Sequence, residues 1–452
     1  MEIRSTPSVF TFNPKIIPYQ YDVISDILNH DYNKGVHEIL LSGSVGSAKS
    51  ILAAHAVVRH CLTNAGARVI IGRRALPDIK KTMLNTIAEH LECEELIDGK
   101  DYQIRENTAE VFFRNGSEII PYYWADKKFK RVRSINASAA WIEELTENDE
   151  NDSKAFFELK ARLGRLQIKE RFLICCTNPD SPSHWAYKYF IEGSKQFKNR
   201  SVYYSKTKDN PFLEESYIKQ LEQDLDPKEA RRLIHGEWVE IDQDRVYHAY
   251  DSEHNFVNKD YIVDLKHPVH INFDFNIGEG KPMSSCAYQF INGTFHVFDE
   301  VIIHGARTQN VMDEWFDKGT IKDKVKIIIH GDASGDARDT RSILSDYDII
   351  RKFLQNASIP HEMQVPRANP PVRTRHNRVN AYCLNELGQR RLYVYKNCKV
   401  THDGMRLTAL KKTGNYIEDD SKAYQHVTTA LGYGIMYDTN LIGTKQVSSQ
   451  RR

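Results

Sequence analysis

No apolar run in the chain comes near the ~18–20 residues of a membrane span. Its start, MEIRSTPSVF, also lacks the apolar core of a signal peptide. Cysteine is scarce: there are 7 in 452 residues, no CxxC pair, and an adjacent Cys175-Cys176 inside an apolar run. That usage argues against zinc modules and against a disulfide framework. Net charge is nearly absent as well, since 62 Lys+Arg face 61 Asp+Glu. Any grip on nucleic acid must therefore come from local basic patches rather than a global field. With 40% hydrophobic and 10% aromatic residues, the composition excludes a disordered tail protein, a collagen-like fibre and a histone-like basic wrapper. No internal repeat is visible. The expectation is a soluble intracellular protein of two or three domains.

The N-terminal half alternates strand and helix signals. The apolar run 38–42 leads into Gly43-Ser44-Val45-Gly46-Ser47-Ala48-Lys49-Ser50, and Ile51, Ala54, Val58, Cys61 and Leu62 then recur at helical spacing. Arg68–Gly72, Ser138–Ile142 and Phe172–Thr177 read as further buried strands, and Ala109–Trp124 as a hairpin turning at Asn115-Gly116. Repeated β-then-α units predict an α/β fold with a mostly parallel sheet covered on both faces. A second strand-rich region starts near His267, with strands at Val269–Phe275 and Lys326–His330 and a hairpin over Ser285–Ile303 turning at Asn292-Gly293. Residues 208–250 are charged and largely helical, and read as a linker subdomain. The last dozen residues are polar and expected to fray.

Gly43 to Ser50 fits GxxxxGK[ST] except that Ala48 replaces the second glycine. In this pattern, backbone N–H groups of the loop (Ser44, Val45, Gly46 and Ser47 included) and the helix N-terminus face phosphates. Lys49 then reaches the β/γ-phosphates of ATP, and the Ser50 hydroxyl helps hold Mg²⁺. Alanine at 48 allows the same approach if φ there is negative. An ATPase also needs a metal-orienting carboxylate and a base beyond a neighbouring strand. Glu143 and Glu144 follow the apolar stretch 139–142, Glu143 for the metal and Glu144 to polarise the attacking water.

With these residues in place, the chain resembles the large terminase subunit of tailed bacteriophages, an ATPase-nuclease that packages viral DNA. Tyr19-Gln20 lies where that family has its adenine-side glutamine. The GxxxxAKS loop and WIEELTE resemble its Walker A and B elements, with Glu143 for the commoner aspartate. Thr177-Asn178-Pro179, with Trp185 after it, resembles the coupling motif, and DNPFL, IHGEWVE and VYHAY resemble the linker. The resemblance implies an arginine finger, with Arg133 the choice among Lys127, Lys128, Lys130, Arg131 and Arg133, and with Arg73 and Arg74 competing. It implies a RecA/ASCE-like P-loop ATPase domain over 1–205, a linker over 206–250, an RNase H-like mixed-sheet nuclease domain over 251–440 and a flexible tail over 441–452.

Two-metal phosphodiester cleavage needs carboxylates converging from separate strands on ions ~3.5–4 Å apart. Asp274 ends an alternating strand and Asp332 follows a separate apolar run, and buried acids are costly unless paired or bound to metal. The resemblance makes them two of the nuclease ligands, for Mg²⁺ or Mn²⁺. Many relatives place an acid where this chain has Thr429, in HVTTALGY, and a hydroxyl is a poorer ligand for a hard cation. His426 is expected to bind metal or move a proton, and Asp419 or Asp420 to supply the missing charge; Asp420 is the chosen ligand. Glu300 is a weaker candidate, with plain exposure as its alternative. Arg367, Arg373, Arg375, Arg378, Lys411 and Lys412 are candidate contacts to DNA phosphates.

The leading expectation is thus ATP-driven packaging of double-stranded viral DNA, with cutting of concatemers. The alternatives are a cellular helicase-nuclease of DNA repair and a nucleotide-switched DNA-binding assembly protein with an inactive nuclease scaffold. The implied partners are double-stranded DNA, a small terminase subunit, a portal protein and further copies in a ring on the procapsid, taken as pentameric and compatible with a monomer in solution. No membrane is involved, and the expected place is the cytoplasm of the infected bacterial host.

Overall fold

The computed structural model describes residues 12–449 apart from 126–128, 147–148, 240–244, 277–279, 322–324, 338–343 and 412–415; for 129–131, 149–152 and 440–449 it describes the backbone alone. Lys127, Lys128 and Lys412, the side chains of Lys130 and Arg131, and the side chains of the tail from 441 therefore lie outside the described residues. The chain divides into two units, Met1–Ile218 with Arg231–Ile241, and Lys219–Ala230 with Asp242–Arg452. The stretch 206–250 is shared between them. Among the described residues, no helix is long and apolar enough to cross a membrane.

The first unit is built on an eight-stranded sheet. Its strands are β1 (His37–Gly43), β2 (Arg68–Arg73), β3 (Tyr102–Arg105), β4 (Glu110–Phe113), β5 (Glu118–Tyr123), β6 (Ala139–Ile142), β7 (Phe172–Thr177) and β8 (Arg200–Ser205), in the order β3-β4-β5-β2-β6-β7-β1-β8. The pairs from β5 through β8 are parallel, and only β4 runs against the rest, antiparallel to both β3 and β5 at one edge. Strand alternation explains how both faces are buried. Ile39, Leu41, Val69, Ile71, Trp141, Phe172 and Ile174 face the helix Lys49–Thr63. Leu40, Ile70, Ile142, Leu173 and Cys175 face the opposite way, against Phe156, Leu159 and Phe190. The parallel strands end together, so Gly43, Ile142 and Thr177 deliver the segments that follow them to one edge of the sheet.

The second unit holds a seven-stranded mixed sheet of β9 (Phe256–Val257), β10 (Val269–Asp274), β11 (Pro282–Ile291), β12 (Thr294–His304), β13 (Ile327–Gly331), β14 (His361–Met363) and β15 (Leu392–Tyr395), in the order β14-β13-β10-β11-β12-β15-β9. β10, β11 and β12 form an antiparallel meander, while β13 and β14 add in parallel beside β10. The sheet is mixed, as expected for this half of the chain. The turn between β11 and β12 has Asn292 at φ 51° and Gly293 at φ 79°, the positive-φ pair that a two-residue hairpin favours. Along β10, Val269, Ile271 and Phe273 join the core with Met312, Trp315 and Ile350. His270, Asn272 and Asp274 alternate onto the other side, towards the helix Ala423–Ser449.

Candidate nucleotide and nuclease sites

The loop between β1 and the helix Lys49–Thr63 is shaped by what holds its carbonyls. Thr207 Oγ1 donates to Val45 O (2.7 Å), Asn210 Nδ2 to Gly46 O (2.7 Å), Tyr19 Oη to Ser47 O (2.7 Å) and Gln20 Nε2 to Ala48 O (3.1 Å). The N–H groups of Ser44 and Val45 donate to Ser205 O (3.0 Å) and Leu233 O (2.9 Å). Among the described residues, none accepts from the N–H groups of Gly46, Ser47 or Ala48. Three free donors gathered at a helix N-terminus make a ready site for an anion. Gly236, at φ 70°, lets its backbone press against Ser205 O and Ser44 N, where a Cβ would sit 2.8 and 3.4 Å from them.

Lys49 is 8% exposed, and its Nζ donates to Gly43 O (2.9 Å), Ser44 O (2.7 Å), Ser47 Oγ (3.3 Å) and Asn178 Oδ1 (3.2 Å). Burial pulls its ammonium below the usual lysine range, against the opposing pull of Glu143 and Glu144. Ser50 Oγ donates to Glu143 Oε1 at 2.7 Å, and Trp141 Nε1 to Glu143 Oε2 at 2.7 Å, so both carboxylate oxygens are fixed in orientation. Glu144 sits at φ 53°, uncommon for a residue with a Cβ and the kind of strain that gathers at working sites. Thr146 Oγ1 lies 2.7 Å from Thr177 Oγ1 and donates to Asn178 O (3.0 Å), which ties the segment after β6 to the one after β7. Trp185 packs its ring 5.4 Å from that of Phe156.

Ala48 corrects one expectation. Its φ is +64°, so the close approach is made in the left-handed region rather than at negative φ. A Cβ there costs ~1–2 kcal/mol. Ala48→Gly is therefore expected to raise the unfolding free energy by about 1 kcal/mol, read as a higher melting midpoint. An unchanged or lower midpoint would contradict the strain argument.

Arg133 and Arg73 make hydrogen bonds to groups outside the loop. Arg133 is exposed and grips Glu158 through Nε (3.1 Å) and Nη2. Arg73 Nη1 donates to Thr82 Oγ1 (3.0 Å), and the Arg74 carbonyl accepts from the N–H groups of Trp124 and Ala125.

In the second unit, Asp274 is 6% exposed, and its Oδ2 meets His426 Nδ1 (2.9 Å) and Asn276 Nδ2 (2.7 Å). β10 and β13 pair Phe273 with Gly331, and the Asp332 N–H donates to Phe273 O (3.0 Å), so Asp274 and Asp332 leave neighbouring strands one residue past a paired position. Asp332 Oδ1 accepts from Ser334 N (2.7 Å) and Asn369 Nδ2 (2.7 Å). The Tyr433 phenol is pushed up chiefly by burial, with Arg375 opposing and Asp332 and Asp274 adding. Carboxylate oxygens with an imidazole beside them suit a hard divalent cation such as Mg²⁺ or Mn²⁺.

The other expected ligands are turned elsewhere. Asp420 directs its oxygens at Lys281 Nζ and at Lys411 Nζ (2.7 Å), which hold its carboxyl well below the usual range; a cation there would have to displace two ammonium groups. Asp419 accepts from Ser421 N (3.1 Å). Thr429 is buried, and its Oγ1 accepts from Gln425 Nε2 (2.8 Å) and lies 3.5 Å from Arg375 Nη2. Glu300 is neither exposed nor at this site. It is 9% exposed and caps the helix Lys399–Leu407, accepting from the N–H groups of Val400 and Thr401 at 2.8 Å each, and burial raises its pKa.

Arg375 is no DNA contact. It is 2% exposed and paired with Glu418, whose Oε1 also meets His376 Nε2 at 2.8 Å. Burial pushes Glu418 up, but His376 and Arg375 outweigh it and bring its carboxyl to about 2. Arg375→Ala leaves that carboxylate buried and half-paired, so stability should fall by roughly 3–5 kcal/mol. DNA affinity per folded molecule should be unchanged, and a lower salt slope of DNA binding in a stably folded variant would contradict this. Arg378 pairs with Asp224 (3.3 Å), Arg373 lies 5.6 Å over the Tyr416 ring, and Arg367 is exposed.

Residues 36–237 match the family model described as phage terminase large subunit. The PBSX phage terminase large subunit of Bacillus subtilis (strain 168) is 29% identical over 199 residues, 40% of this chain and 44% of the relative. The chain thus spans under half the length of that curated relative. Among solved structures, the large terminase from a thermophilic bacteriophage has a TM-score of 0.64 at 14% identity, covering 92% of this chain and 98% of that one. The same terminase in complex with ATP-gamma-S gives 0.62 at the same identity and coverage. At that identity the likeness is one of fold.

Proposed function

We propose, for a chain whose residues 36–237 match the phage terminase large-subunit model and whose fold is that of a large terminase, that it is the ATP-hydrolysing and DNA-cutting subunit of a viral packaging motor. The observation that carries this reading is a phosphate loop whose carbonyls are all tied back, with Lys49 and the Ser50–Glu143 pair beside it. ATP is the substrate: the N–H groups from Gly46 to Ser50 and the Lys49 ammonium take its phosphates, and Gln20 stands on the adenine side. Ser50 and Glu143 are the residues to hold Mg²⁺. A bound divalent ion supplies positive charge to the phosphate oxygens that gain negative charge. Glu144 orients and deprotonates the attacking water, and Asn178, bonded to Lys49, carries the state of that site to the segment after β7.

Arg133 is proposed to neutralise the transferring phosphoryl group of a neighbouring copy, which requires it to leave Glu158. Arg133→Ala should lower turnover by ~10³-fold at nearly unchanged stability, because the pair it breaks is exposed. Normal hydrolysis by the variant excludes the assignment.

In the second unit, Asp274 and Asp332 are the proposed ligands for Mg²⁺ or Mn²⁺. His426, oriented by Asp274, moves a proton at the cleaved phosphodiester. The proposed partners are double-stranded DNA, a small terminase subunit, a portal ring and further copies of this chain, in the cytoplasm of an infected bacterium. The test is ATP-dependent displacement of a third strand annealed to an intact duplex. A packaging motor strips it without opening the duplex, whereas unwinding of a forked duplex with no such displacement would contradict the proposal.

A further inference from the structure

The second unit buries a polar cluster that neither proposed activity uses. His270 on β10, His330 on β13 and Asp438 on the helix Ala423–Ser449 are 6%, 0% and 7% exposed. His270 Nδ1 lies 3.2 Å from His330 Nε2 and 3.0 Å from Asp438 Oδ2, and His330 Nε2 lies 3.3 Å from Asp438 Oδ1. Tyr288 Oη donates to Asp438 Oδ2 at 2.5 Å. Both amide atoms of the buried Asn272 have no hydrogen-bond partner, and neither has His330 Nδ1. A Cβ on Gly434 would lie 2.4 Å from Asn272 Oδ1 and 2.5 Å from Tyr288 Oη, so a glycine at that turn of the helix is what lets these groups crowd together.

Two imidazoles and a carboxylate are a donor set for a divalent transition metal rather than for Mg²⁺. Bonds of about 2.0–2.1 Å to a tetrahedral ion put neighbouring donors about 3.3 Å apart, close to the three spacings here. A metal-free network is the rival arrangement: with a proton on only one of the two facing nitrogens, His270 Nδ1 and His330 Nε2 share a hydrogen bond at 3.2 Å beside Asp438. His330 Nδ1 has no hydrogen-bond partner, so a ring that offers its Nε2 lone pair inward carries its proton on Nδ1 without an acceptor among the described residues.

We infer that His270, His330 and Asp438 form a buried site for one divalent transition-metal ion of the zinc class, with the Tyr288 oxygen beside its fourth position. The ion fastens the helix to β10 and β13. Those are the elements that carry His426, Asp274 and Asp332, so the site is structural support for the nuclease centre and separate from it.

The test uses the full chain with Asp274→Ala, which removes a ligand from the nuclease site, expressed in zinc-fed cells. Mass spectrometry should find about one zinc per chain after desalting. Stripping it with a chelator should lower the melting midpoint by roughly 5–10 °C, and cobalt in its place should show the intense visible bands of a tetrahedral site. Adding His330→Ala should remove the metal. If that variant does not fold, the cobalt spectrum and chelator response of the parent decide. Under about 0.1 zinc per chain with a midpoint indifferent to chelator overturns the inference and leaves a hydrogen-bonded network. Failure of the nuclease reading would show instead in DNA cleavage by the unsubstituted chain.

Discussion

Replacing Lys49 with alanine should cut ATP hydrolysis by at least ~10³-fold and leave metal-dependent DNA cleavage close to that of the parent. The side chain does two jobs. Its ammonium is the buried positive charge at the loop, and its bond to Asn178 joins the loop to the segment after β7. Its Nζ also donates to Gly43 O and shares Ser44 O with the Ser47 hydroxyl, so removing it loosens the start of the loop. Lys49→Met keeps most of the volume and separates charge from packing: it should be as inactive as alanine but more stable. Phosphate release and plasmid cleavage, measured on the same preparations, check both halves. A Lys49→Ala protein that loses cleavage while keeping hydrolysis would contradict the division of labour.

Asp274→Ala should have the converse effect, abolishing cleavage of linear and supercoiled DNA with Mg²⁺ or Mn²⁺ at unchanged ATP turnover. A buried carboxylate ligand lost from a two-metal centre is expected to cost ~10³-fold or more. The substitution also frees His426 Nδ1 and Asn276 Nδ2 from their shared acceptor. Asp274→Asn tests charge apart from shape. It keeps an acceptor for His426 but weakens the hold on a hard cation, so cleavage should fall nearly as far. Cleavage by Asp274→Ala at the parent rate would move the nuclease centre elsewhere in the chain.

The features legible in the sequence were those carried by short spans of chain. The phosphate loop shows itself because strand, loop and helix are contiguous from Glu38 to Leu62, and Asp274 because its strand alternates apolar and polar residues. What props the loop was not legible. Asn210 reaches Gly46 across 164 residues and Thr207 reaches Val45 across 162, so no local pattern joins them. DNPFL and IHGEWVE stood out only by resemblance; the structure gives their work, with Trp238 Nε1 bonded to Ser42 Oγ at 2.9 Å and Gly236 packed on the loop.

Charges misled for a physical reason: residue type gives the sign of a side chain but not its burial. Arg375 looked like one member of a basic patch and is sealed against Glu418, while Arg367 of the same patch is exposed. Asp420 looked like a spare ligand and is held by two lysines. Glu300 looked like a weaker site candidate or a plainly exposed acid, and it is buried and caps a helix. Ala48 looked compatible with negative φ because the stretch from 43 to 50 does not encode its own dihedral; contacts from Gln20 and Tyr19 on either side of it do.

One diffraction experiment bears most directly on whether a single polypeptide houses two separate phosphate chemistries. Crystals grown with a non-hydrolysable ATP analogue and manganese should show anomalous peaks in both units. One belongs beside Ser50 and Glu143, next to the analogue's phosphates, and at least one between Asp274 and Asp332. Phosphates in the loop with no manganese at Asp274 and Asp332 would leave a motor without its cutter, and would contradict the account.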